Sequence, residues 1–446
     1  MYVGLYVALA LTAGQLVIGS RLPVSASPDP LKAARSAFER KDYDTAVRYL
    51  DDLITRSPGQ SAAYELRAVA HGYRGHPEDA LSDHDRLSFP GKEQAQAYLL
   101  RRICLGLLTN LLSHDQEVVR GAAAAALAEL GPGATQSALN LALRDPSPRV
   151  RTFAIQTAGR LERAATLPAV RDAVGDPDVS VRITALSTLG RSKDQTVVTI
   201  VRRGLNDQDP IAQLVAREAL VHLNQSQLRK PLLRATRDFS PAVRGTAMGI
   251  LGRLKDPSAL SVLTLGLHDP DASVRSFAAG ALGDLGATAA VTELVDALSD
   301  QDPYVRNFAA VSLGRLHAKP AIAALWGTVK DSDSLVRLAA AEALVKLGEG
   351  EAALAIRELL KDPDYGVRSA ALGAMARSEP NRAMALALEA FDDPAPRVRV
   401  AAVQALGRVG GKTAIPYLRR ALLDRDPTVR AFAAGHLGAM AAGRKS

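Results

Sequence analysis

Apolar residues recur at helical spacing within blocks of a fixed 31 residues, and every block breaks at the same polar position. In Asp176 to Ser192, DPDVSVRITALSTLGRS, the residues Val181, Ala185 and Leu189 fall four apart and form one apolar face. Leu161, Leu254, Leu285, Leu316 and Leu347 close the same stripe in other blocks. A shorter apolar helix comes first in each block, as Val170 with Val174, Leu263 with Leu267, and Leu294 with Leu298. Each block therefore predicts two helices that bury their faces only against neighbouring blocks, which makes a stacked array. The central position of the second helix is alanine throughout: Ala123, Ala154, Ala185, Ala216, Ala247, Ala278, Ala309, Ala340, Ala371, Ala402 and Ala433. A larger side chain there would hold two helices apart.

The polar positions keep the same beat. Arginine stands at Arg120, Arg151, Arg182, Arg244, Arg275, Arg306, Arg337, Arg368, Arg399 and Arg430, with Gln213 breaking the series. Six residues earlier stand Asp145, Asp176, Asp207, Asp238, Asp269, Asp300, Asp331, Asp362, Asp393 and Asp424, with His114 in the first block. Asp178 takes the N-cap of its second helix. Ser147, Asp209, Ser240, Asp271, Asp302, Asp333, Asp364 and Asp426 take it elsewhere, oxygens placed to accept from free helix-start amides. Proline often follows, where its missing donor costs nothing. Glycines recur eight residues after the arginine (Gly159, Gly190, Gly252, Gly283, Gly314, Gly407, Gly438), which predicts close helix approach or helix termination.

Two other segments precede the array. Residues 31 to 90 align with themselves at a spacing of 34, placing Ala46 on Ala80, with a turn before each second helix and Pro58 and Pro90 near the unit ends. This resembles the tetratricopeptide repeat, a helix-turn-helix unit of that length. Two such units imply a short peptide groove or a cap for the longer array. Residues 1–26 carry an apolar run from Val3 to Gly19, then Arg21, Pro23 and a small-x-small ending at Ala26. The segment reads as a secretory signal cleaved after Ala26, although no basic residue precedes the run. A short membrane anchor is the alternative. The expected organisation is 1–26 signal or anchor, 27–91 tetratricopeptide-like pair, and 92–446 solenoid.

Composition narrows the picture. Hydrophobic residues make up 47% but aromatics only 4%, so the core must be built from Ala, Leu and Val between closely packed helices. The formal charge is +8. Many of the arginines belong to the periodic series, each offset by an aspartate, which gives much of the charge a structural origin and disfavours a nucleic-acid footprint. The lone Cys104 has apolar flanks and excludes an intramolecular disulfide. Eight scattered histidines (His71, His76, His84, His114, His222, His268, His317, His436) form no His-Glu pair or H-E-x-x-H, and no phosphate loop is present. No cofactor or metal is expected.

The acidic turn, Val-Arg, Ala and Leu-Gly pattern resembles the short HEAT-like repeat of phycobilisome bilin lyases and many bacterial proteins. The resemblance implies an all-α, right-handed α-solenoid of about eleven helix pairs. It also implies a ladder in which the periodic aspartates and arginines bridge neighbouring turns. Deoxyhypusine hydroxylases share the fold class but use His-Glu motifs that this chain lacks. Trp326 is a gap filler in its block.

A second polar row stands nine residues after the arginines: Arg160, Arg191, His222, Arg253, Arg315, Lys346, Arg377 and Arg408, interrupted by Glu129, Asp284 and Ala439. It falls away from the apolar stripe, so it predicts either helix-end electrostatics or a basic track along the inner curve. Phe153, Phe277, Phe308 and Phe432 stand two after the arginine. The block around Gln213 is irregular and predicts a local change of curvature. The last apolar helix has no polar closing helix, which predicts an exposed face open to self-association. The leading functional reading is an exported, periplasmic or extracellular, non-enzymatic scaffold binding a protein or peptide of acidic character. The alternatives are a bilin-lyase-like enzyme or chaperone, and a binder of an anionic polymer such as nucleic acid.

Overall fold

The computed structural model describes residues 29–87, 93–132 and 135–441. The signal-like segment and its cleavage position lie outside these. All regular structure among the described residues is helical, with no strand.

Four helices lead the chain: α1 (Pro30–Glu39), α2 (Tyr43–Arg56), α3 (Ser61–Arg74) and α4 (Pro77–Arg86). Phe38, Tyr43 and Tyr73 pack ring to ring between them at 4.7–5.6 Å. Arg67 ties α3 to its neighbours, with Nε and Nη2 on Asp83 at 2.8 and 2.7 Å and Nη1 on Asp51 at 2.6 Å. Helix α5 (Glu93–Leu111) then stacks directly on α3. Gly72 and Gly106 permit this approach, because a Cβ on either would lie 2.8 Å from backbone of the facing helix.

From α5 and α6 (Glu117–Leu130) onward, each unit is a first helix, often ending in a 3-10 turn, and a second helix that is the longer of the two in every unit after this first one. Successive second helices pack side by side, whereas first helices scarcely touch one another. The crowded row must lie on the inside of the curve and the splayed row on the outside. All eleven central alanines are fully buried, so the inner helices approach at the distance that only a methyl allows. The recurring glycines extend that contact: a Cβ on Gly190 would lie 2.5 Å from Ala219, and one on Gly252 would lie 2.6 Å from Ala281. Close approach is their role. Termination falls three residues later, where Glu162, Lys193, Asn224, Lys255 and His317 adopt positive φ.

Arginine and aspartate knit consecutive units. Arg151 donates from Nε and Nη2 to Asp176 of the next unit at 2.8 and 2.7 Å, and from Nη1 to the carbonyl of Asp145 in its own unit at 2.9 Å. The same fork joins Arg120 to Asp145, Arg182 to Asp207, Arg244 to Asp269, Arg275 to Asp300, Arg306 to Asp331, Arg368 to Asp393 and Arg399 to Asp424. The aspartate also accepts the amide two residues on, as from Asp178 at 2.9 Å, so it holds its own turn as well. Hydrogen bonding from Arg182 keeps Asp207 below the usual carboxylate range, as Arg306 does for Asp331. Asp178, Asp209, Asp271, Asp302, Asp333 and Asp364 cap their helices through the side chain. Ser147 and Ser240 do not. The Ser147 hydroxyl donates instead to Glu117, at 2.7 Å.

Two joints depart from the pattern. Gln213 reaches only the carbonyl of Asp207, at 2.8 Å, and among the described residues the Asp238 carboxylate has no arginine, Arg244 meeting only its backbone carbonyl. There the link moves to the other end of the helices, where Arg253 makes a fork with buried Glu218 at 2.8 and 2.9 Å. Arg337 stands 3.5 Å from Asp362, with the Ser334 hydroxyl inserted between them. Arg377 and Glu342 pair at 2.7 Å at the opposite end of that joint. The buried core divides near both places, one cluster beginning at Leu214 and another at Leu338.

The array does not stay open. The final helix, Pro427–Ala441, packs against α5 and α6, so the inner row returns on itself. The expected exposed terminal face is thus corrected: Ala433, Ala434, Leu437 and Ala439 are buried within the chain, because α5 and α6 present complementary small and apolar residues. A Cβ on Gly435 would meet the Ala126 carbonyl at 2.8 Å, and one on Gly438 would collide with the Leu130 side chain. Arg430 finds only backbone carbonyls, those of Asp424 and Arg425, the first block carrying His114 where other blocks offer an aspartate. Outside the ring, Arg419 clamps both oxygens of Asp85 at 2.6 Å.

Candidate binding surface

The closed row fixes which side chains face inward. On each second helix these are the residues two before, two after, five after and nine after the arginine position, which share one face at helical period. The row nine after lies at the carboxy ends of these helices, and all eight of its cations are exposed. Four of them are already engaged: Arg160 with Glu129, Arg253 with Glu218, Arg315 with Asp284 and Arg377 with Glu342. Arg191, His222, Lys346 and Arg408 have no carboxylate partner among the described residues. The continuous basic track is therefore reduced to separated charges. The sequence already held the cause, since Glu129 and Asp284 interrupt the row and pair with its next member.

A richer surface lies near the helix amino ends, at the closure. Units one, two, nine, ten and eleven together line a cleft of about 570 Å³. Val118, Ala122, Phe153, Val400 and Phe432 give it an apolar floor, and Val118 and Tyr365 are about half exposed. Arg149 and Arg397, both exposed, stand at its edges with Asp426. Phe153 packs against Gly121 of the preceding unit, which holds the ring at the wall. Phe277 and Phe308, set against Gly245 and Gly280, are also partly exposed but lie in other units. Periodicity alone could not find this cleft, because its two halves, Gln116 to Phe153 and Tyr365 to Phe432, are far apart in the chain and meet only through closure.

The lone cysteine lies in the core and the lone tryptophan against it. Cys104 is fully buried at the closure, and desolvation pushes its thiol up to about 12. Trp326 is partly buried against its unit's core.

Comparison with known proteins agrees with this architecture. Residues 135–445 match the family of HEAT repeats in overlapping segments. No curated protein matches the sequence. Among solved structures, the CpcE–CpcF complex of phycocyanin lyase from Nostoc is similar at 24% identity, covering 46% of this chain and 92% of that one, with a TM-score of 0.35. Human deoxyhypusine hydroxylase is similar at 23% identity, over 56% of this chain and 98% of that one, with a TM-score of 0.31. A Kap121p mutant is similar at 13% identity, over 92% and 51%, with a TM-score of 0.35.

Proposed function

This chain belongs to the HEAT-repeat family, and we propose that it is a non-enzymatic protein-binding scaffold. Its inner face would take a peptide segment that combines apolar anchors with acidic flanks. The observation that carries this reading is the cleft at the closure, where aromatic and aliphatic side chains form a floor between two exposed arginines. Such a surface offers buried apolar anchoring in its centre and charge pairing at its rim, the division of labour that protein interfaces use. The amino-terminal segment 1–26 supports an exported setting, and the two helix pairs within 27–91 offer a second docking element.

Affinity capture with the full-length, tagged protein tests this. Bound proteins are identified by mass spectrometry at about 50 and about 500 mM salt, and compared with capture on a variant carrying Val118→Asp, Arg149→Glu and Arg397→Glu. The expected result is a protein enriched on the wild type, weakened by salt and lost on the variant. Equal recovery on both overturns the assignment to the cleft. No enrichment over an unrelated helical-repeat control overturns the scaffold reading.

A further inference from the structure

We propose that His71, His76 and Asp79 form a binding site for one divalent transition-metal ion of the zinc class, completed by water. The three residues lie close together in the sequence, and the turn between α3 and α4 brings their side chains to one place. Gly75, at φ 77°, ends α3 in the left-handed conformation and reverses the chain within one residue. The last turn of α3, carrying His71, then faces the first turn of α4, where His76 is the N-cap and Asp79 lies in the first turn.

The geometry is close to that of a ligand set. Asp79 Oδ2 lies 3.2 Å from His76 Nδ1 and 3.7 Å from His71 Nδ1, and one ligand atom from each residue falls within 4.8 Å of the others. In a tetrahedral site with bonds of 2.0–2.2 Å, ligand atoms stand about 3.3–3.6 Å apart. The two imidazoles lie nearly parallel, 6.1 Å between centroids, and both turn Nδ1 toward the same carboxylate. Two neutral imidazoles and one carboxylate suit a borderline ion better than calcium or magnesium, which favour oxygen sets. His71 is buried and fixed, while His76 and Asp79 are exposed and leave an entry path and room for water.

One neighbour opposes the ion. Arg74 Nη1 lies 3.5 Å from His71 Nδ1, while its Nε donates to Asp44 at 2.7 Å. A bound cation must displace that contact, so Arg74 lowers affinity without being a ligand. The ion would clip α4 to α3, and α4 carries in its last turn the Asp85 that meets Arg419.

The test uses the full-length chain after treatment with chelator. Calorimetric titration with zinc chloride is expected to show one saturable equivalent, and Co²⁺ to give the intense visible absorption of a tetrahedral site. His76→Ala and Asp79→Asn, both at exposed positions, should each weaken binding by on the order of tenfold or more. Arg74→Ala should tighten it severalfold. Circular dichroism melts confirm that the variants fold. Absence of a saturable equivalent overturns the proposal. So does unchanged affinity in both His76→Ala and Asp79→Asn, which would leave the His76–Asp79 contact as a side-chain pair alone.

Discussion

Gly190 and Ala219 set the spacing of the inner wall, since a Cβ on the glycine would sit 2.5 Å from the backbone and methyl of the alanine. Gly190→Ala should therefore push two helices apart at a cost of about 1–3 kcal/mol, read from a urea titration. Ala185→Leu should cost a similar amount, because Ala185 is fully buried in the same contact. Lys255 predicts the opposite sign. It holds φ at 49° after its helix, and Lys255→Gly should stabilise by about 0.5–1 kcal/mol by removing the Cβ from a left-handed conformation. At this scale the alanine series was fully legible, because burial demands the same small side chain in every unit. The stop position was not legible, because Glu, Lys, Asn and His occupy a conformation that usually betrays itself through glycine.

At the level of helices and joints, the fork from Arg182 to Asp207 shows why an arginine cannot be exchanged for another cation there. It satisfies a carboxylate in the next unit and a carbonyl in its own, at 2.8 and 3.0 Å. Arg182→Lys should lose the paired geometry and cost about 1–2 kcal/mol, with the loss in hydrogen-exchange protection confined to the flanking units. Asp207 and Asp331 are held below their unfolded values, so their contribution is complete above about pH 4 and is lost as pH falls through the folded value. The rhythm of arginine and aspartate was plain in the sequence. The direction of each bond, from one unit to the next, required the stacked structure. The irregular unit around Gln213 was also visible, but the compensation by Glu218 and Arg253 was not, since it joins residues outside the repeating pair. Hydrogen exchange should show a local minimum of protection over Pro210–Arg253, and uniform protection through this joint would contradict the weakness inferred for it.

For the molecule as a whole, closure depends on a small set of contacts that no repeat repeats. His436 is buried there with Glu129 3.9 Å away, and burial depresses its proton affinity despite the opposing pull of Glu129; Arg408 and Arg160 add to the depression. A histidine with a lowered folded value supports closure above about pH 6.5 and withdraws that support as pH falls through the folded value. Exchange of Pro427–Ala441 and α6 should accelerate on mild acidification, and His436→Leu should remove the part of that response below neutrality. Closure was the feature sequence could not supply: the apolar terminal helix was evident, but its cover lies more than 300 residues earlier.

Return of the last helix onto the first units changes the mechanics of the chain. An open superhelix behaves as a spring, lengthening freely as small rotations add along its axis. A hoop has no such freedom, because its rotations must sum to a full circuit, and widening at one joint forces narrowing at another. The joints at Glu218–Arg253 and Glu342–Arg377, where the usual link is absent or loose, are where that compliance would concentrate. A partner wedged against one part of the inner wall would then be felt at a distant hinge, with the circumference itself as the transmitting element.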